Sequence, residues 1–240
     1  LGREARLSDR FNRIEIGRVW LNEGQSLSRL RRFAEADRLF AAAASLYAQK
    51  FGTDHVLTAD AIRNRAVADF EAGRLAEAER GINRAVAIYS RVLEGDHPSM
   101  ADALIASGRI RTARGDGAGA LAAFDRVRAI FIRLYGPTNS SVGDVDFYAA
   151  EAESVRGNTD SALRLLAETK SIYDASYGPN DPDQVELLLL RSRVLAAGHR
   201  LEAARRDCAA GLALKIKLDP RDTTIGETRK NCAALGLPTA

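Results

Sequence analysis

The chain repeats itself. Alanines at Ala36, Ala78, Ala120, Ala162 and Ala203 follow one another at intervals of 42, 42, 42 and 41 residues, and the residues around each obey one pattern. A period of about 20–50 residues marks a stacked array, because so short a unit cannot bury an apolar face alone and must cover it with the next copy. Five residues before each alanine stands a turn residue, Arg31, Gly73, Gly115, Gly157 or Gly198. After the alanine the same columns are apolar: Phe40, Ile82, Phe124 and Leu166 at offset four, Leu46, Ile88, Ile130 and Ile172 at ten, and Tyr47, Tyr89, Phe131 and Tyr173 at eleven. Those offsets keep one side of a 3.6-residue helix apolar. A glycine just past one helical run and an Ala-Glu-Ala opening the next, as in "GRLAEAE", predict helix, tight turn, helix. Between units lie Gly52, Gly95, Gly136 and Gly178, with Pro98, Pro137, Pro179, Pro182 and Pro220, which lack the amide that a helix interior needs. Ser99 and Thr58 are placed to cap the helices that follow.

The predicted fold is therefore all-α, a right-handed solenoid of five helix pairs at about 14–55, 56–97, 98–139, 140–181 and 182–222. A capping helix at about 223–235 completes a single domain over residues 1–240. His55 and His97 stand in the same inter-unit corner, 42 residues apart, where later units carry Asn139, Asp181 and Asp222. With no further imidazole or thiolate beside them, they read as corner residues and not as metal ligands. "GDGAGA" at 115–120 falls at a helix turn, not after a strand, so it is no dinucleotide loop.

Charge narrows the function. The net charge is +3, and the 35 basic residues are spread among 32 acidic ones, without the basic stripe of a nucleic-acid binder. No apolar run approaches the roughly 20 residues of a membrane span. The chain begins at Leu1, which leaves room upstream for a signal or a further domain. Nucleophile, metal and nucleotide motifs are missing, so a non-catalytic protein without a cofactor is expected.

The second unit, "AIRNRAVADFEAGRLAEAERGINRAVAIYSRVLEGDHPSMADAL", resembles the tetratricopeptide repeat in the long 42-residue form found in kinesin light chains and many bacterial repeat proteins. Trp20, Gly24, Ala36 and Phe40 of the first unit stand at that family's aromatic, small, small and aromatic positions. The resemblance covers about residues 14–235 and implies a concave groove of first helices that holds an extended peptide or protein segment. It implies that Asn22 and Asn64, two residues after the aromatic-type position, hydrogen-bond the peptide backbone; their later equivalents are Ala106, Tyr148 and Leu189. In the same register Arg18, Gln25, Arg63 and Arg109 face the groove, where the arginines suit an acidic partner, and Phe70, Phe147 and Tyr148 offer apolar pockets. Aromatic residues on a helix also serve simply as core.

The chain departs from the family where apolar first-helix columns read Glu23, Arg65, Ser107, Ala149 and Leu190, then Leu27, Asp69, Arg111, Glu153 and Val194. Either Asp69, Arg111 and Glu153 form an electrostatic ladder, or the column turns to solvent. Arg191 at the small position of the last unit predicts that this unit packs differently. Thr224 and Glu227 have capping-box spacing. Cys208 and Cys232 fit either two buried thiols, the preferred reading because buried cysteine is common, or a disulfide that fastens the cap across about 24 residues. Rival functions are a regulatory segment of a larger bacterial protein whose effector lies elsewhere, or a self-associating homodimer module. The alanine- and arginine-rich composition suggests a bacterial cytoplasm or periplasm, and a disulfide would favour the latter.

Overall fold

The 42-residue period becomes a period of helix starts. The computed structural model describes residues 2–236, with side chains from residue 12. Among them are eleven helices: α1 (Gly2–Arg29), α2 (Phe33–Phe51), α3 (Val56–Glu71), α4 (Leu75–Val92), α5 (Pro98–Ala113), α6 (Gly117–Tyr135), α7 (Ser140–Val155), α8 (Thr159–Ser176), α9 (Pro182–Ala197), α10 (Leu201–Leu218) and α11 (Ile225–Ala234). The chain is an all-α array of helix pairs with a terminal helix, and it divides into two compact units, residues 1–114 and 115–240.

In the first unit α1 packs on α2 and α3 on α4, and each second helix meets the next first helix, α2 with α3 and α4 with α5. The first helices also touch one another, α1 with α3 and α3 with α5. The alanine column makes this possible: Ala36 and Ala78 are fully buried, and Phe40, Tyr47, Ile82 and Tyr89 fill the space beside them. Helix α1 approaches α2 through glycine. A methyl group at Gly17 would lie 2.2 Å from the Tyr47 ring, and one at Gly24 would lie 2.6 Å from Phe40.

The second unit follows the same rule, with α7 on α8, α9 on α10, and α6 and α8 meeting α7 and α9. Its core joins Ala150, Ala162, Leu166, Tyr173, Leu187, Leu190 and Val194. Helix α11 packs on α10. The sulfurs of Cys208 and Cys232 are bonded, 24 residues apart, in place of the buried thiols preferred from sequence.

Four other sequence expectations need correction. The last alanine of the series is Ala204, fully buried, and not Ala203, so the interval is 42 throughout. Gly198 is not the corner residue: its φ is −84°, whereas His199 takes the left-handed conformation, φ 59°, with Arg31, Gly73, Gly115 and Gly157 also left-handed at this corner. In the corrected register the small position is Ser192, buried and donating to the Ala204 carbonyl, so Arg191 does not disrupt the last pair and is instead bound to Asp207.

Second, the helix caps are the corner residues. His55 and His97 accept through Nδ1 from the amides of Leu57 and Ser99, and Asn139 and Asp181 accept likewise from Ser141 and Asp183. Thr58 donates instead to the Gly52 carbonyl. Third, Thr224 makes no side-chain cap; its hydroxyl donates to Asp222. Fourth, the column does not turn to solvent at Asp69, which is 7% exposed and holds Arg74 through Oδ1 at 2.6 Å, while Arg65 reaches back to Asp37. Glu153 is bound by Arg156 and Asn158.

Candidate functional site

Side chains left over after stacking are the ones available for recognition. In the first unit the first helices α1 and α3 lie side by side, and their polar residues form a connected surface. Asn22 and Gln25 are exposed and Asn64 is half-buried. The Gln25 amide donates to Asn64 Oδ1 at 3.3 Å, carrying a row of carboxamides from α1 to α3. Arg18 is 63% exposed and ion-paired with Glu15 one turn away, a contact that water screens heavily.

The other arginines of this face have partners within the unit. Arg63 is only 19% exposed and donates to Asp102 on α5 at 2.6 Å, with Asp60 at 3.9 Å. Asp60 in turn accepts the hydroxyl of the buried Tyr89, whose phenol is pushed up mainly by its burial. Arg63 is thus a strut from α3 to α5. Arg109 on α5 lies over the ring of Phe70 on α3, 5.3 Å from its centroid, so Phe70 carries a guanidinium on its face.

In the second unit Phe147 and Tyr148 meet edge to face at 5.7 Å, and Tyr148 stacks near Phe124 at 6.1 Å. Phe147 also packs on the core of α7 and α9. With Tyr173 they line a cavity of about 140 Å³ whose other members are Asp144, Asp183 and Glu186. The Tyr173 hydroxyl donates to Asp144 at 2.7 Å, and burial raises both the phenol and the Asp144 carboxyl. The corrected equivalent of Tyr148 in the last pair is Leu190, which is core.

The second helices contribute a surface that the sequence reading passed over. A groove of about 780 Å³ opens over α3 between α2 and α4, walled by Ala41, Ala44, Ala48, Gly81 and Arg84. The corresponding cavity of the second unit, over α7, holds only about 220 Å³, because Asp125, Arg128 and Leu165 stand where the first unit has Ala41, Ala44 and Gly81. The "AAAA" run at 41–44 was the available signal. Among the described residues no group of histidine, cysteine and acidic side chains is arranged to hold a metal ion, and no helix is long and apolar enough to cross a membrane.

The tetratricopeptide-repeat sequence pattern matches residues 15–80 and, overlapping them, 61–133. No curated protein matches the chain. Among solved structures it is similar to the kinesin-light-chain TPR-like repeats of Podosopora anserina, with 19% identity over 84% of this chain and 96% of that one and a TM-score of 0.69. It is similar also to BtubC (BKLC) from P. vanneervenii, with 18% identity, 90% and 87% coverage and a TM-score of 0.72. The Rap conjugation gene regulator of plasmid pLS20, solved in complex with the Phr* peptide, matches at 15% identity over 90% of this chain and 61% of its own, with a TM-score of 0.60. At these identities the likeness is one of fold, and it is a fold typically used for protein–protein interaction. From the repeat pattern over residues 15–133 and the helix pairs that recur at the same period beyond it, the chain is a tetratricopeptide-repeat protein.

Proposed function

We propose that the chain is an interaction module that holds an extended segment of a partner protein on the first-helix face of its first unit, gripped by Asn22, Gln25 and Asn64. The observation that carries this reading is the accessible carboxamide row, tied across α1 and α3 by the Gln25–Asn64 hydrogen bond. Each carboxamide has donors and an acceptor, the complement of the free N–H and C=O groups of an extended peptide. The Arg63–Asp102 strut and the Arg109–Phe70 stack hold α5 against α3, so little has to be ordered when a segment binds. Arg18 is the arginine placed to meet an acidic side chain of that segment, since its present partner Glu15 is itself exposed. The peptide-bound Rap regulator is a precedent for a chain of this fold taking such a ligand. The Cys208–Cys232 bond suits an oxidising compartment.

The test is selection of binders from a random peptide library displayed on phage, followed by fluorescence anisotropy with the selected peptides. Asn22→Ala combined with Asn64→Ala is expected to weaken binding about tenfold or more, while Arg84→Ala on the second-helix side leaves it unchanged. Peptides that bind the double variant as tightly as the parent would sink the proposal.

A further inference from the structure

One column of the repeat breaks its own rule. At 42-residue spacing the first helices carry Trp20, Ile62, Leu104, Asp146 and Leu188. Four are large and apolar, and the fourth in order is a carboxylate. Asp146 is 1% exposed, more deeply buried than Ile62 and Leu104 at 9% and 7%. Its Oδ1 accepts from Arg128 Nε at 2.8 Å, but its Oδ2 has no hydrogen-bond partner among the described residues. A buried acceptor without a donor is destabilising, and a leucine here would stack as well as Leu104 does. Stacking alone does not explain the residue.

Asp146 lines the 220 Å³ cavity between α6, α7 and α8. The other charged groups there are Asp125, Glu153, Arg128 and Arg164, which leaves one negative charge in excess, and Leu121, Phe124 and Leu165 supply apolar wall. Asp125 is exposed, Glu153 holds Arg156 and Asn158 through Oε2, and Arg164 donates to Ser161, so the buried acceptor left without a partner is Asp146 Oδ2.

We propose that this cavity binds a primary ammonium group on an unbranched apolar stem, such as a lysine side chain or a small alkylamine carries, with Asp146 Oδ2 as its acceptor. The excess negative charge selects a cation. A single free oxygen suits a compact ammonium, whereas a guanidinium fork needs the second oxygen that Arg128 already holds. The stem then lies against Leu121 and Leu165. Oδ2 is itself shielded from solvent, so the ammonium reaches it past Arg128, whose side chain is 40% exposed and whose terminal nitrogen has a second acidic neighbour, Glu168 at 3.7 Å, to turn toward while Nε keeps Oδ1.

Proton–nitrogen correlation spectra of the full chain, titrated with n-butylammonium, n-butanol, n-butylguanidinium and Nα-acetyl-lysine amide, test this site. Saturable shifts confined to α6, α7 and α8 are expected with the two amines, and binding about tenfold weaker or absent with the alcohol and the guanidinium. Asp146→Asn keeps the shape and should lose the amine response about tenfold. Asp146→Leu, which restores the residue type of the other pairs, should stay folded and lose it too. Tighter binding of the lysine derivative assigns the pocket to a protein partner, and tighter binding of the free amine assigns it to a small molecule. No saturable shift with either amine, an equal response to n-butanol, or unchanged affinity in Asp146→Asn overturns the proposal.

Discussion

A single backbone conformation decides how each helix pair turns. The corner residue must be left-handed, and at Arg31 and His199 it is not glycine, although both take φ 59°. A side chain in that region costs about 1–2 kcal/mol, part of which a glycine gives back through its freer unfolded chain. His199→Gly is therefore expected to stabilise the second unit by about 0.5–1 kcal/mol, read as a raised midpoint in thermal unfolding; an unchanged or lowered midpoint would refute it. Gly198, which the sequence offered for that role, serves another: a methyl group there would lie 2.6 Å from Thr159 Cγ2. The letters "AGHRLEAA" allow two registers one residue apart, and burial of Ala204 together with the left-handed φ of His199 separates them. The histidine caps were half legible in the same way, since repetition marked His55 and His97 as corners while the acceptor role of Nδ1 depends on ring orientation.

Between elements, spacing is set by what the first helix omits. Helix α1 presents Gly17 and Gly24 to the Tyr47 and Phe40 rings, so those aromatic side chains occupy room that any Cβ would take. Tyr47 is fully buried and its hydroxyl donates to the Ile14 carbonyl, so the ring has nowhere to retreat. Gly17→Ala gains intrinsic helix propensity of about 1 kcal/mol, yet overpacking of this kind costs about 1–3 kcal/mol. The expected result is a net loss of stability in the first unit, measured by chemical denaturation, with Tyr47→Phe in the same background failing to restore it because the clash is with ring carbons as well as the hydroxyl. A gain in stability would show that α1 can shift away from α2. The helix pairing was legible in the sequence because apolar periodicity and turn residues are local properties. The open groove between α2 and α4 was legible only in part, because the small residues at 41–44 and Gly81 supply the room while packing decides that they face one another over α3.

At the scale of the whole chain, the terminal helix is held by a covalent bond as well as by packing. Helix α11 has ten residues and packs on α10, with Arg205 donating to the Leu235 carbonyl and Lys215 paired to Asp222. Closing a loop of 24 residues stabilises by about 3 kcal/mol in the chain-entropy treatment, so reduction should lower the stability of the second unit by about that amount. Thermal unfolding with and without reductant measures it, and two titratable thiols in the non-reduced protein would contradict it. The sequence by itself determined the repeat, the all-α class, the alternation of first and second helices and the core columns at the first four alanines and at offsets four and eleven from them, because a 42-residue period makes each unit a check on the others. Only the tertiary structure decided that Cys208 and Cys232 are joined, that Arg63 and Arg109 are engaged within the protein, and that Asp146 is buried with a free oxygen. These depend on distances between side chains from different helices, where a rotation of one helix or a shift of one residue changes the partner without altering the local pattern.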